Sequence, residues 1–265
     1  MSMNKKATVI ISVYKNTRAL AAVLRSLEKQ TEQCFEVIIS EDGESTEMKQ
    51  FVEQYMSSRQ SKWDILHLTQ EDICWRKNRA LNRAIEAADT DWLIFIDGDC
   101  VLHPKFVETH IRYSAEGVVL AGKRVKLNPQ LSERLMNGET LHLLPYLFCK
   151  RGCTLVEEGF YLPLAHYWRR HVRHLTGSNM SMSKKDIKAI NGFDENYILP
   201  AIGEDFDIEW RLPANGCKIV SVRNLAVQYH LYHKENWVDD SINMQYFNQI
   251  KAANQIVCKN GIQKL

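Results

Sequence analysis

The sequence predicts an α/β fold, a mostly parallel sheet flanked by helices, and three observations carry the prediction. Short apolar, β-branched runs recur at residues 8–14, 35–40, 64–68 and 92–97. Segments with apolar residues at helical spacing separate them, and strands that alternate with helices pair in parallel. Two of the runs end in carboxylates, Asp42 and the pair Asp97 and Asp99. Ligands of open α/β sheets sit outside the carboxyl ends of the strands.

Thr8 to Tyr14 is the first strand. Asn16 and Thr17 can cap the helix that follows, whose Leu20, Val23, Leu24 and Leu27 fall on one face. Phe35 to Ser40 is the second strand and runs into Glu41-Asp42-Gly43. A polar helix with Met48, Phe51, Val52 and Tyr55 precedes a short third strand, Asp64 to Leu68. Lys77 to Ala88 is amphipathic through Ala80, Leu81, Ala84 and Ile85, and leads into Trp92–Asp97, apolar enough to be buried on both faces. Pro104 opens a helix from Phe106 to Tyr113, and a strand follows at 117–122. Neither Gly-x-Gly-x-x-Gly nor a Walker loop is present, which argues against a dinucleotide or ATP phosphate cradle.

From 127 to 175 the period is lost, and an inserted helical segment is expected. It carries the apolar run Leu143 to Phe148 and a basic, aromatic cluster: Tyr161, Tyr167, Trp168, Arg169, Arg170, His171, Arg173 and His174. An insertion of this length serves as a lid or binding surface, or packs as a helical hairpin with a solvated basic face. Residues 176–181 form a turn-rich approach to a short helix, Lys184 to Ile190, which Asn191-Gly192 stops. Gly203-Glu204-Asp205-Phe206-Asp207 opens an amphipathic segment with Ile208, Trp210 and Leu212, where acidic side chains suit a helix N-terminus. Leu225 to His233 reads as a last strand bearing His230 and His233, and 238–262 as a C-terminal helix. With no repeat or linker, one domain over 1–265 is expected, with parts 1–126, 127–175 and 176–265.

Bulk composition narrows the class. The 265 residues are 45% hydrophobic and 25% charged, which suits a globular chain with an ample core. A net charge of +2 gives no argument for nucleic acid. No apolar run is long enough to span a bilayer, and the N-terminus lacks a signal-peptide core. The seven cysteines are scattered; Cys149 and Cys153 are the one close pair, and no second pair completes a zinc site. Reduced thiols in a cytoplasmic protein are the expectation.

Asp97-Gly98-Asp99 carries the chemistry. Side chains two residues apart on an extended backbone lie on one side, and Gly98 lets the chain bend there. Two such carboxylates repel unless a cation lies between them, and their hard oxygens suit Mg²⁺ or Mn²⁺. Two solvated aspartates at a turn are the plain alternative.

Together these features resemble the family 2 glycosyltransferases of the GT-A fold, a Rossmann-like sheet. The matching stretches are Val9 to Tyr14, Glu41-Asp42-Gly43 and Asp97-Gly98-Asp99, with Ser12 where that family often has proline. The later part is similar to β-1,4-galactosyltransferases and polymerases of glycosaminoglycan-like chains. It matches through Asn191 to Glu195, Gly203 to Asp207 followed by Arg211-Leu212, and Trp75-Arg76-Lys77 ahead of Asn82. Leu199 to Ile202 replaces the tryptophan-containing turn that commonly precedes Gly-Glu-Asp.

The resemblance implies inverting transfer from a nucleotide-sugar donor, UDP-linked, to a saccharide or lipid-linked saccharide acceptor in surface-polysaccharide synthesis. It implies a Mn²⁺ or Mg²⁺ held by Asp99 with Asp97 nearby. His230 stands ahead of Asn236 at the interval of the metal histidine in the galactosyltransferase-like pattern, with His233 the alternative. Asp42 and Tyr14 would hold the nucleoside, with Trp75 alongside, while Arg76 and Lys77 would meet the diphosphate. Asp205 would be the general base and Glu204 would orient the acceptor. The basic, aromatic insertion could hold the chain peripherally on the inner face of a membrane. Two rivals stand: a nucleotidyltransferase, which would show a basic Gly-rich loop absent from residues 8–18, and a catalytically silent GT-A-like binding protein.

Overall fold

A computed structural model describes residues 5–58, 62–139, 152–164, 174–200, 203–234 and 239–265. The strands are β1 (Ala7–Val13), β2 (Phe35–Glu41), β3 (Ile65–Leu68), β4 (Trp92–Asp97), β5 (Cys100–Leu102), β6 (Val118–Ala121), β7 (Val125–Lys126), β8 (Met180–Ser183), β9 (Lys218–Ser221) and β10 (Gln228–His230). The helices are α1 (Thr17–Glu28), α2 (Thr46–Ser57), α3 (Lys77–Ala87), α4 (Phe106–Arg112), α5 (Pro129–Met136), α6 (Lys184–Ala189), α7 (Glu204–Ala214) and α8 (Ser241–Ala252).

The main sheet has the order β3-β2-β1-β4-β8-β6-β9. β1 to β4 are parallel neighbours, as their alternation with helices requires. β8 is the departure: it lies antiparallel between β4 and β6, so the expected turn-rich approach at 176–181 is in part a strand. Met180-Ser-Met-Ser alternates along it, and all four residues are buried. Apolar residues of β1, β2 and β4 divide between the two faces by parity. Val9, Ile11, Val37, Ile39 and Ile94 pack with α1, α2 and Phe106. Ile10, Ile38, Leu93 and Phe95 pack with Leu81, Ala84 and Ile85 of α3 and with Ile187, Ile208 and Leu212.

A small second sheet, β5-β10-β7, sits beside the first. The expected last strand is shorter than 225–233: Gln228–His230 pair with β5, and Tyr229 and His230 with β7 as well. The expected insertion holds α5, capped by Asn128 with Pro129 behind it, and a 3₁₀ turn at Val156–Gly159. The run Leu143 to Phe148 and the cluster from Tyr167 to Arg173 lie outside the described residues, as do Ala201, Ile202 and Asn236. The C-terminal helix stops at Ala252 rather than continuing to 262, because Asn254 turns left-handed (φ 49). The chain then folds back, and Asn191 donates to the carbonyls of Cys258 and Gln263, both at 2.8 Å. The six described cysteines are free thiols. Among the described residues no helix is long and apolar enough to cross a membrane.

Candidate active site

The carboxyl ends of β1, β2 and β4 open into a cleft of about 640 Å³. Asp42, just past β2, forms one wall, and its carboxylate is already engaged. Oδ1 accepts from Gln70 Nε2 and Oδ2 from the Arg76 backbone N–H, both at 2.7 Å. Asp42 thereby pins the N-terminus of α3, which has no side-chain cap. Tyr14, 54% exposed, also lines the cleft, with its ring beside Gly43 and its hydroxyl 3.3 Å from Asp72. Trp75 and Lys77 line the cleft as well. Arg76, expected at the diphosphate, does not line it; its guanidinium goes to the Glu71 carbonyl.

Asp97 and Asp99 reach the cleft because Gly98 makes the turn. The Gly98 N–H donates to the Ser12 carbonyl at 2.7 Å. A Cβ there would lie 2.6 Å from Val13 Cγ1, so only glycine fits so close to β1. The two aspartates have different neighbours. Asp97 Oδ1 is 2.8 Å from Lys77 Nζ, and Oδ2 is 3.5 Å from the Arg124 guanidinium. Burial alone would raise its pKa, but Lys77 and then Arg124 hold the carboxyl below its usual range. Burial, and then the charge of Asp97, push Asp99 up to about 6. A carboxyl held that high gains by meeting a cation.

Strand pairing supplies the partners of Asp99. β10 places His230 opposite Cys100, and Leu231 N–H donates to the Asp99 carbonyl at 2.8 Å. His230 Nε2 and His233 Nε2 each lie 3.5 Å from Asp99 Oδ2, and the donor atoms of all three residues fall within 4.8 Å of one another. Burial, with Arg124 adding to it, pushes His230 down to about 3, so it is a neutral ring with a free lone pair rather than an ion-pair partner. Metal bonds of about 2.1 Å set neighbouring donors about 3.0–3.4 Å apart, and this trio fits a divalent ion. Asp97, Asp99 and Cys100 form a second group of donors, with the Cys100 thiol fully buried.

A second, smaller cleft of about 220 Å³ adjoins the first and shares Trp75, Lys77, Asp97 and Pro200 with it. Glu204 and Asp205, at the start of α7, form its far side. Glu204 Oε1 is 2.6 Å from Lys77 Nζ, and its Oε2 is buried without a partner among the described residues. Burial pushes Glu204 up to about 7 although the Lys77 charge pulls it down. Asp205 accepts from the Gly177 N–H at 3.0 Å and from Phe206 N–H at 2.8 Å. A Cβ on Gly177 would lie 2.3 Å from Glu204 Oε1, so glycine there lets the acidic turn approach. The turn rests on a buried frame. Arg211, fully buried and ion-paired with Asp207, donates to the carbonyls of Ile190 and Gly192 at 2.8 and 2.9 Å. From α3, Asn82 exchanges hydrogen bonds with Phe193 at 2.8 and 2.9 Å.

Thus Tyr14, Asp42, Trp75, Lys77, Asp97, Asp99, Glu204, Asp205, His230 and His233 converge, and Arg76 contributes through its backbone. Sequence reasoning missed Arg124, whose guanidinium reaches Ser178 Oγ at 3.2 Å as well as Asp97. It also missed Gln70 and Ser178. The one sequence signal for Arg124 is a basic pair directly after a predicted strand.

Residues 8–190 match the model of glycosyl transferase family 2, and residues 160–234 that described as the N-terminal domain of galactosyltransferase. The chain is 24% identical to chondroitin synthase of Pasteurella multocida over 82% of its own length and 24% of that protein's. It is 23% identical to hyaluronan synthase of the same species over 86% and 24%. It thus spans about a quarter of the length of these two relatives. With the amylovoran biosynthesis glycosyltransferase AmsB of Erwinia amylovora it shares 24% identity over 84% of this chain and 69% of that one. The fold is similar to S. aureus TarS 1-349 solved with UDP-GlcNAc (TM-score 0.61, 15% identity, 93% and 65% covered). It is also similar to the mannosyltransferase PcManGT of Pyrobaculum calidifontis, solved with GDP-Man and Mn²⁺ (TM-score 0.59, 13% identity, 88% and 58% covered).

Proposed function

The chain belongs to glycosyl transferase family 2, and from that premise we propose a metal-dependent, inverting transfer from a UDP-linked sugar to an acceptor hydroxyl. The observation that carries the proposal is the junction of the two clefts, where Lys77 and Asp97 line both. The large cleft, about 640 Å³, has room for a nucleoside diphosphate, and the small one presents carboxylates to an incoming hydroxyl. This membership displaces the nucleotidyltransferase reading.

The roles follow from the chemistry. Asp42 and Tyr14 hold the nucleoside, Trp75 closes over it, and Lys77 meets the diphosphate as a charge-assisted donor. Asp99, His230 and His233 would hold a divalent ion, with Asp97 nearby; such an ion stabilises negative charge on the departing diphosphate. Asp205 takes the proton of the acceptor hydroxyl as its oxygen bonds to the anomeric carbon. The bond from that carbon to the phosphate oxygen breaks on the opposite face, the diphosphate leaves with its electron pair, and the configuration inverts. Glu204 orients the acceptor. Its unpartnered Oε2 and a pKa of about 7 favour one second reading, in which Glu204 takes the proton instead.

The acceptor is a saccharide or lipid-linked saccharide of a growing surface polysaccharide, a reading supported by the names of the relatives. The basic, aromatic patch from Trp168 to His174 would supply a peripheral hold on the inner face of a membrane. The test is a transfer screen with UDP-, GDP- and dTDP-sugars on the unaltered chain, Asp205→Asn and Glu204→Gln. Asp205→Asn should lose about 10²–10⁴ in rate while still binding UDP. An active Asp205→Asn with an inactive Glu204→Gln assigns the base to Glu204, and two active variants refute the acidic turn as catalytic.

A further inference from the structure

One polar group in the large cleft has no role in the account above. Ser40, near the end of β2, lines the cleft and is 2% exposed, and its Oγ has no hydrogen-bond partner among the described residues. A buried hydroxyl left unpaired lowers stability, so such a group in a ligand cleft calls for a partner from the ligand.

Strand register says which part of a ligand would lie there. Ser40 pairs with Ser12 across β2 and β1, and Ser12 pairs with Asp97 across β1 and β4. Directly paired residues project to the same face, and strands lie about 4.8 Å apart. Ser40, Ser12 and Asp97 therefore form a row roughly 10 Å long across the cleft floor. Asp42 follows Ser40 by two residues and lines the same cleft. A nucleoside diphosphate with its base at Asp42 and its diphosphate beside Asp99 lays its ribose across the interval floored by Ser40 and Ser12.

We infer that Ser40 Oγ hydrogen-bonds a ribose hydroxyl of the donor, with Ser12 beside it. This contact makes the cleft selective for ribonucleoside over deoxyribonucleoside diphosphates. The inference rests on the donor reading proposed above. A hydroxyl donates and accepts, so it matches a ribose hydroxyl in either orientation. The CH₂ of a deoxyribose leaves Ser40 unpaired, and sites built to bind a hydroxyl reject analogues that lack it.

The experiment is calorimetric titration of the full chain with UDP, 2′-deoxy-UDP and 3′-deoxy-UDP in Mn²⁺, repeated on Ser40→Ala. On the unaltered chain one deoxy analogue should bind about two- to tenfold more weakly than UDP, the worth of one neutral hydrogen bond. Ser40→Ala should weaken UDP by the same factor and bind UDP and that analogue alike. Its ligand-free melting temperature should not fall, since no partner is lost. Equal binding of all three nucleotides by the unaltered chain overturns the inference, as does a Ser40→Ala that keeps both affinity and discrimination; either result leaves the donor reading standing. No UDP binding by the unaltered chain overturns the donor reading and the ribose contact together.

Discussion

Replacing Lys77 with methionine removes the one ammonium that holds two carboxylates at the junction of the clefts. Its Nζ lies 2.8 Å from Asp97 Oδ1 and 2.6 Å from Glu204 Oε1, and none of the three side chains is more than 22% exposed. Burial disfavours the Lys77 charge, but Asp97 and Glu204 outweigh it and raise its pKa. Taking one partner from a buried ion pair costs about 3–5 kcal/mol, because the remaining charge is stranded. Part of that cost can be relieved here. Glu204 already stands at about 7 with Lys77 beside it, so without the ammonium it binds a proton at neutral pH. The loss should then fall near the lower figure, about 3 kcal/mol. For a chain of this size that is a drop in Tm of roughly 6–12 °C. The pH dependence has a definite sign. A carboxyl raised in the folded state binds more protons there than in the unfolded chain. Stability therefore falls as pH rises from 4.5, the ordinary value, through the folded pKa. Lys77→Met should be more destabilised at pH 8 than at pH 6, beyond the slope of the unaltered chain. Thermal unfolding of the unaltered chain, Lys77→Met, Glu204→Gln and the double variant at both pH values measures this. The double variant should recover most of the loss, because the Glu204 carboxylate is gone and Arg124 still faces Asp97 at 3.5 Å. A Lys77→Met that melts within about 1 °C of the unaltered chain, or a double variant that recovers nothing, would refute the reasoning.

The metal trio has two imidazoles, and nitrogen donors suit Mn²⁺ better than Mg²⁺. UDP binding should therefore be supported more strongly by Mn²⁺, and His230→Ala or His233→Ala should weaken Mn²⁺ by about tenfold or more; equal support by both ions in every variant would remove the histidines from the site. His110 is fully buried between Ser181 Oγ at 2.8 Å and Asn179 Oδ1 at 3.1 Å, and burial pushes it down to about 4. The unfolded imidazole binds a proton below about 6.5 and the folded one does not until about 4, so up to about 3 kcal/mol of stability present above pH 6.5 is lost as pH falls to 4. Urea unfolding at pH 7 and pH 4.5 should show a shallower loss in His110→Gln, and an unchanged slope would clear His110 of the effect. Flotation with anionic liposomes at low salt tests the peripheral hold on a membrane: the unaltered chain should float, and replacing Arg169, Arg170 and Arg173 by Ser should abolish it.

What could be read from the sequence was what short-range periodicity encodes. β1, β2 and β4 alternate apolar residues between two buried faces, and helices with a one-sided stripe follow β1 and β2 and precede β4. β8 was illegible because its partners, β4 and β6, lie far away in the chain, and Met-Ser alternation carries little hydrophobic signal. The two- and three-residue strands β7 and β5 exist only because each finds a partner, and tertiary pairing of that kind leaves no local pattern. Asp97, Asp99, Glu204 and Asp205 were legible because carboxylates at a strand end or helix start are chemically conspicuous. Arg124 was not, since a basic residue after a strand usually faces solvent. Ser40 was overlooked for a different reason: an unpaired hydroxyl shows only once its neighbours are in place.

The motifs are also bound to one another by contacts that chain order hides, and this limits how the site can vary. Asn78 and Asn82 of α3 bond to Asp194 and Phe193, and Arg211 of α7 bonds to Ile190 and Gly192. The helix that begins at the donor cleft and the helix that begins at the acidic turn therefore share one loop as a mount. Asp42 fixes the start of the first helix, and Gly177 fixes the start of the second. A shift of either helix moves Lys77 relative to Glu204, whose 2.6 Å contact closes the wall between the clefts. Acceptor geometry and donor geometry are consequently not independent. Substitutions in the 191–196 loop, which touches neither cleft, should alter the affinity for donor and the rate of transfer together.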